Sequence, residues 1–121
     1  MALYRMVGGK IHRATVTETE LDYEGSISID PELYERAGFR PGELLQVYNL
    51  ANGARFETYL IDAPRGSGMI GVRGAAAHLA DLGDKLIIVN VLMLDSSELE
   101  GHRFRVVRVD ERNRPVEDTK A

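Results

Sequence analysis

Short stretches rich in Val, Ile, Leu and Thr recur along the chain, separated by breaks containing Gly, Asn or Asp. This is the pattern of strands and turns rather than of long helices. Val7 to Thr17 alternates in places and carries strand-favouring residues, and Ser26 to Ile29 is a second, short strand. Leu44 to Leu50 and Ala54 to Ile61 flank Asn52-Gly53, a strong two-residue hairpin signal. Met69 to Val72 follows the flexible stretch Arg65-Gly66-Ser67-Gly68. Lys85 to Leu94 is the longest strand, and its near-continuous apolar content predicts burial on both faces. Phe104 to Val109 is the last strand, and residues 112–121 read as a frayed tail. Two brief helices interrupt the series. Asp30-Pro31-Glu32 supplies an N-cap, a proline at the first helical position and a first-turn acid, so a helix runs from Pro31 to Ala37 and stops at Gly38. A second, Ala75 to Ala80, is entered through Gly74 and followed by a turn at Leu82-Gly83-Asp84. Many short strands with two brief helices predict a small closed or nearly closed β-barrel.

Composition narrows the class. A chain of 121 residues suits one domain spanning 1–121, with a core of its own. Cysteine is absent, which excludes disulfides and thiolate metal sites. Residues 1–7 lack the apolar run and small-residue cleavage site of a signal peptide. The run Leu86 to Leu94 is too short to cross a bilayer. A soluble, cytoplasmic protein is expected, with no membrane partner. The net charge is −4 with mixed signs throughout. Arg103, Arg105, Arg108, Arg112 and Arg114 are interrupted by Asp110 and Glu111 and read as a solvated strand face and turn, so no nucleic-acid partner is expected.

Candidate chemistry is sparse. Lys10 and His12 leave the same face of one strand, as do Arg55 and Tyr59 on another. Together they could line a pocket for a small dianion, or each could be an ordinary solvent-facing residue. Gly74-Ala75-Ala76-Ala77 begins a helix with almost no side-chain bulk, either to let a ligand approach free backbone N–H groups or simply to pack tightly. His78 reads as a packing or capping residue. The histidines at 12, 78 and 102 have no partner at metal-ligand spacing, so no metal is expected. Neither a Gly-x-Ser-x-Gly elbow nor a phosphate-binding loop occurs. Tyr23-Glu24-Gly25-Ser26 is, by itself, turn chemistry.

Five blocks taken together say more. Residues 9–17 (Gly-Lys-Ile-His-Arg-Ala-Thr-Val-Thr), 21–26 (Leu-Asp-Tyr-Glu-Gly-Ser), 52–59 (Asn-Gly-Ala-Arg-Phe-Glu-Thr-Tyr), 65–72 (Arg-Gly-Ser-Gly-Met-Ile-Gly-Val) and 74–78 (Gly-Ala-Ala-Ala-His) occur in register. Over about Arg5 to Asp110 the chain resembles the bacterial aspartate 1-decarboxylases, which are self-processing and pyruvoyl-dependent. The resemblance implies a mainly β fold, a six-stranded double-psi β-barrel with short helices. It also implies a homotetramer with active sites between neighbouring subunits.

The same resemblance implies cleavage between Gly25 and Ser26, giving a β-chain of residues 1–25 and an α-chain of residues 26–121. Ser26 would attack the Gly25 carbonyl and end as a pyruvoyl group, the cofactor that forms a Schiff base with L-aspartate. Tyr23 would help hold the scissile peptide and Thr58 would stabilise its oxyanion. Tyr59 would be the proton donor. Lys10, His12, Arg55, Thr58 and the backbone of Gly74, Ala75 and Ala76 would bind substrate. The product would be β-alanine, for pantothenate and coenzyme A synthesis. Some members of the family need a maturation factor, so such a partner is allowed here.

Two positions fit less simply. Strand alternation places Thr58 on the face opposite Arg55 and Tyr59, which a bulge or a site shared between subunits would reconcile. Arg73 stands where the family commonly carries asparagine. Its guanidinium could tighten carboxylate binding, occupy the substrate's place or slow self-cleavage. Two other readings follow: a barrel that never matures and serves as a binding module, and an enzyme of the same kind that takes glutamate, one methylene longer.

Overall fold

Residues 2–116 are described by the computed structural model, and among them eight strands and three short helical segments occur. The strands are β1 (Leu3–Thr15), β2 (Glu18–Glu20), β3 (Ser26–Ile29), β4 (Leu44–Asn49), β5 (Arg55–Asp62), β6 (Ile70–Arg73), β7 (Lys85–Asp95) and β8 (Arg105–Arg108). Helices α1 (Pro31–Ala37) and α2 (Ser96–Leu99) and a 3-10 segment, Gly74–Leu79, connect them. The strand order is β2-β6-β3-β5-β4-β7-β1-β8.

The sheet's two ends are halves of one ribbon. Only Val16 and Thr17 separate β1 from β2, and the Thr17 N–H donates to the Ile70 carbonyl at 2.9 Å as the chain passes onto β6. Counting β1 and β2 as one ribbon and setting aside the edge strand β8 leaves six members, in keeping with a mainly β, double-psi-type barrel whose ladder is not strictly closed. Parallel pairs β3–β5, β2–β6 and β1–β8 are mixed with antiparallel ones. Inward positions of successive strands, Ile11, Ile27, Val47, Leu60, Val72 and Ile88, form one fully buried core. Helix α1 lies against β1, where Gly9 has no room for a side chain: a Cβ there would come within 1.9 Å of the Ala37 carbonyl oxygen.

Helix α1 starts and stops where the sequence predicts, with Asp30 capping the Glu32 N–H at 2.9 Å and Gly38 left-handed at φ 81°. Other expectations need correction. The β4–β5 connection is a four-residue loop closed by Asn49 and Ala54, with only Gly53 of the Asn52-Gly53 pair at positive φ. The helix expected at Ala75–Ala80 is a 3-10 segment that includes Gly74. In β7 near-continuous burial is confined to Leu86–Asn90, and Met93 is exposed. Of the tail expected at 112–121, residues 117–121 lie outside the described residues. Asn113, by contrast, is buried and donates to the carbonyls of Thr15 and Gly68 at 2.8 and 2.7 Å. No helix among the described residues is long and apolar enough to cross a membrane.

Candidate active site

Ser26 opens β3 immediately after the exposed turn Leu21–Gly25. Its neighbours Ile27 and Ile29 point into the core, so alternation turns Ser26 and Ser28 to the other face. Both serines are nonetheless only 1% exposed. The Ser28 hydroxyl accepts from the Arg73 guanidinium, whereas the Ser26 Oγ has no hydrogen-bond partner. A buried hydroxyl without a partner costs free energy and is uncommon unless it has work to do. Gly74 lies close to the backbone of Gly25 and Tyr23, just before Ser26. At φ 73° it is left-handed, and a Cβ there would lie 2.6 Å from Gly25 Cα and 3.0 Å from the Tyr23 carbonyl oxygen. Glycine at 74 therefore lets the turn lie close over the end of β6.

Strand β5 flanks β3 on one side. Their parallel register, Ile27 with Leu60, carried back one and two residues sets Tyr59 beside Ser26 and Thr58 beside Gly25. Thr58 is buried on the core side, while Arg55 and Tyr59 are exposed on the outer face. The division of β5 between two faces is thus real, and no bulge interrupts its pairing with β4. The Arg55 guanidinium stacks 4.0 Å over the ring of Tyr48, its cross-strand partner.

Lys10 and His12 share a face of β1, but β1 pairs with β7 and β8 rather than with β3 or β5. A single row across the sheet reads His12, Ile87, Tyr48, Arg55. Three strand spacings separate its ends, about 14 Å. Within one chain, Lys10 and His12 thus lie three strands away from Arg55 along the sheet. Burial first, and then the charges of Lys10, Arg108 and Arg13, holds the His12 imidazole below its ordinary value of 6.5. Its Nδ1 is buried without a hydrogen-bond partner. A neutral ring at pH 7 follows. Hollows of about 210 and 440 Å³ beside α1 contain none of the expected site residues.

On the other side of β3, Arg73 is the antiparallel partner of Ser26. Its guanidinium donates to Ser28 and forms an ion pair with Glu18 of β2, and it lies 5.2 Å from the centroid of the Tyr23 ring. Gly71, opposite Ser28, borders these groups: a Cβ there would touch Glu18 and Arg73 side-chain atoms at 3.4–3.6 Å, ordinary contact distances. Sequence reasoning missed Glu18 and Ser28. Glu18 sits in a three-residue acidic strand without strand propensity, and only the alternation of Ser26 with Ser28 hinted at a shared face.

Among the described residues no group of three or more His, Cys, Asp or Glu is placed to hold a metal ion. A buried serine hydroxyl with no hydrogen-bond partner, next to a glycine and beside a phenol, fits a pyruvoyl group made at position 26.

Residues 2–116 match the aspartate decarboxylase family. The chain is 52% identical over 111 residues to the aspartate 1-decarboxylase of Carboxydothermus hydrogenoformans, covering 92% of this chain and 87% of that one. It is 54% identical over 112 residues to that of Pelotomaculum thermopropionicum, covering 93% and 85%. Against that of Maricaulis maris it is 50% identical over 111 residues, covering 92% of each.

Proposed function

The chain belongs to the aspartate decarboxylase family, and we propose that it cuts its own Gly25–Ser26 bond and then converts L-aspartate to β-alanine and carbon dioxide. The observation that carries this reading is the Ser26 hydroxyl, buried and unbonded beside a glycine that Gly74 allows to lie close.

In the precursor the Ser26 Oγ adds to the Gly25 carbonyl carbon. The bond from that carbon to the Ser26 nitrogen breaks, and the proton passes to the nitrogen, leaving an ester and a free amine. Glycine offers no side chain against the attack. Thr58, buried two residues before Leu60 on β5, would donate to the oxyanion, and Tyr23 would hold the peptide from the turn. Loss of the Ser26 α-proton breaks the Cβ–O bond and frees residues 1–25 with a Gly25 carboxylate. Water then replaces the nitrogen at position 26, ammonia leaves and a ketone remains.

A pyruvoyl ketone supplies a sink for the electrons that carbon dioxide leaves behind. The chain's own residues do the rest. Tyr59, beside position 26, gives the phenol proton from its Oη to the substrate carbon that lost its carboxylate. Arg55 pairs with a carboxylate bidentately. Lys10 and a neutral His12 contribute a charge and a donor, and the small residues Gly74, Ala75 and Ala76 offer backbone contacts. Because Lys10 and His12 lie about three strands from Arg55 in one chain, the reading places them opposite a neighbouring subunit's β3 and β5 in a homotetramer. It needs no metal, and a cytoplasmic role in pantothenate and coenzyme A synthesis follows from the product. A maturation factor is compatible with it.

Intact-mass measurement of the purified protein tests the proposal. Two chains dividing at Gly25/Ser26, with a ketone at position 26 and β-alanine formed from aspartate, are expected. Ser26→Ala should remain one chain and be inactive, yet fold, since alanine fits a buried strand start. Aspartate turnover by an uncut chain with an ordinary serine would overturn it. An uncut, inactive wild type that assembles would favour the binding-module reading instead.

A further inference from the structure

Arg73 is the residue of the site whose part the reading above leaves open, and its surroundings limit what it can do. The Arg73 side chain is 14% exposed, and its guanidinium is met from three sides. Glu18 on β2 supplies a carboxylate, Ser28 on β3 supplies a hydroxyl oxygen, and the Tyr23 ring lies 5.2 Å away in the turn that precedes the scissile bond. Tyr23 itself is 57% exposed and sits two residues before Gly25. A ring so exposed gains little from burial, so the cation beneath it is the main contact that can fix its orientation. Bonds to Ser28 and Glu18 also direct the guanidinium away from Ser26, whose Oγ keeps its lone pairs unbonded.

We propose that Arg73, anchored by Glu18 and Ser28, is a positioning residue for self-cleavage: it fastens the Tyr23–Gly25 turn to the barrel wall so that the Gly25 carbonyl stays within reach of the Ser26 hydroxyl. This rests on the self-processing reading. It assigns Glu18 a part as well. The carboxylate neutralises a largely buried guanidinium and, from β2, sets its direction, so that β2, β3 and the turn are joined through one side chain. Arg73 touches neither the carbonyl nor the hydroxyl and acts through Tyr23.

Precursor expressed and purified cold is warmed, and its cleavage at Gly25/Ser26 is timed by intact mass for the wild type, Arg73→Met, Glu18→Gln and the double variant. Each is held well below its own melting temperature. Each single change is expected to slow cleavage at least about tenfold, since displacing reacting atoms by an ångström can cost about a hundredfold. The double variant should be no slower than the slower single one, because both changes release the same anchor. Tyr23→Leu, which removes the ring that lies over the cation, should slow cleavage about as much as the Arg73 change. A merely structural part would lower melting temperature without this pattern. Cleavage of Arg73→Met at the wild-type rate, or effects of Arg73 and Glu18 that multiply independently, would overturn the inference. A wild type that never cleaves would sink the self-processing reading itself, a result distinct from either.

Discussion

Tyr59 and Ser26 occupy adjacent strands on one outer face, and the proposed mechanism separates their parts in time: Ser26 would act on the chain, and Tyr59 on the substrate afterwards. Tyr59→Phe keeps the ring opposite Leu44, its cross-strand partner, and removes only the phenolic hydroxyl. Precursor cleavage should therefore proceed at the wild-type rate, while β-alanine formation by the cleaved protein falls by about 10²-fold or more, the usual range for losing a general acid. Full turnover by the phenylalanine form would take the proton-donor part away from Tyr59. At this scale the sequence was informative where a residue's meaning depends on its own strand: alternation alone separates Thr58 from Tyr59, and burial of one and exposure of the other bears that out. It was uninformative about Arg73, because Glu18 and Ser28 are 55 and 45 positions away along the chain. Only the pairing of β2 and β3 with β6 brings three such side chains together.

Elements with signals in consecutive residues were legible, and those made by long-range pairing were not. Helix α1 carries its cap, proline and stop within nine residues and spans Pro31–Ala37 as expected. A capping box at Asp95–Glu98 was present in the sequence too and could have announced α2. Nothing local marks β2, which exists because β6 offers a free edge. Asp30 shows how far a local signal can undersell a residue. Besides capping α1 it accepts from the N–H groups of Gly66 and Gly68 at 2.9 and 2.8 Å, tying the loop before β6 to the helix. Burial pushes its carboxyl up, but the N–H donors of Gly66, Glu32 and Gly68 outweigh burial and hold it below the ordinary 3.8. A depressed carboxyl stabilises the fold above the unfolded value, and that contribution fades as pH falls through the folded one. Asp30→Ala should cost about 3 kcal/mol, from a lost cap and stranded N–H groups, read as a lower urea midpoint at pH 7. Asp30→Asn keeps an acceptor, so its deficit should be smaller at pH 7 and should shrink further as the pH is taken below about 4. A deficit for the asparagine form that grows on acidification would contradict this account of the carboxylate.

The whole molecule poses a geometric problem that one copy does not solve. His12 and Arg55 both point outward but stand three strands apart across β1, β7, β4 and β5, about 14 Å along the curved sheet. Farther along the outer face of β7 and β4, apolar side chains are exposed: Met93 is 54% and Leu44 is 59% exposed. Covering such a face with a second copy would bury it and could bring one subunit's β1 against another's β3 and β5. If so, Lys10 and Tyr59 in each working site come from different chains. Lys10→Ala and Tyr59→Phe, each nearly inactive alone, should then partly restore one another when made in the same cell. In random mixed assemblies a site draws an intact Lys10 and an intact Tyr59 together about one time in four, so activity should return to about a quarter of the wild type's. A site built within one chain gives no such recovery, since every subunit then carries one defect in its own site. Mixing the two variants after purification provides the contrast: assemblies that do not exchange subunits should stay inactive. Recovery on co-production alone would thus locate the catalytic unit in the pair of chains, a level of organisation that strand periodicity, which describes one chain at a time, has no means to express.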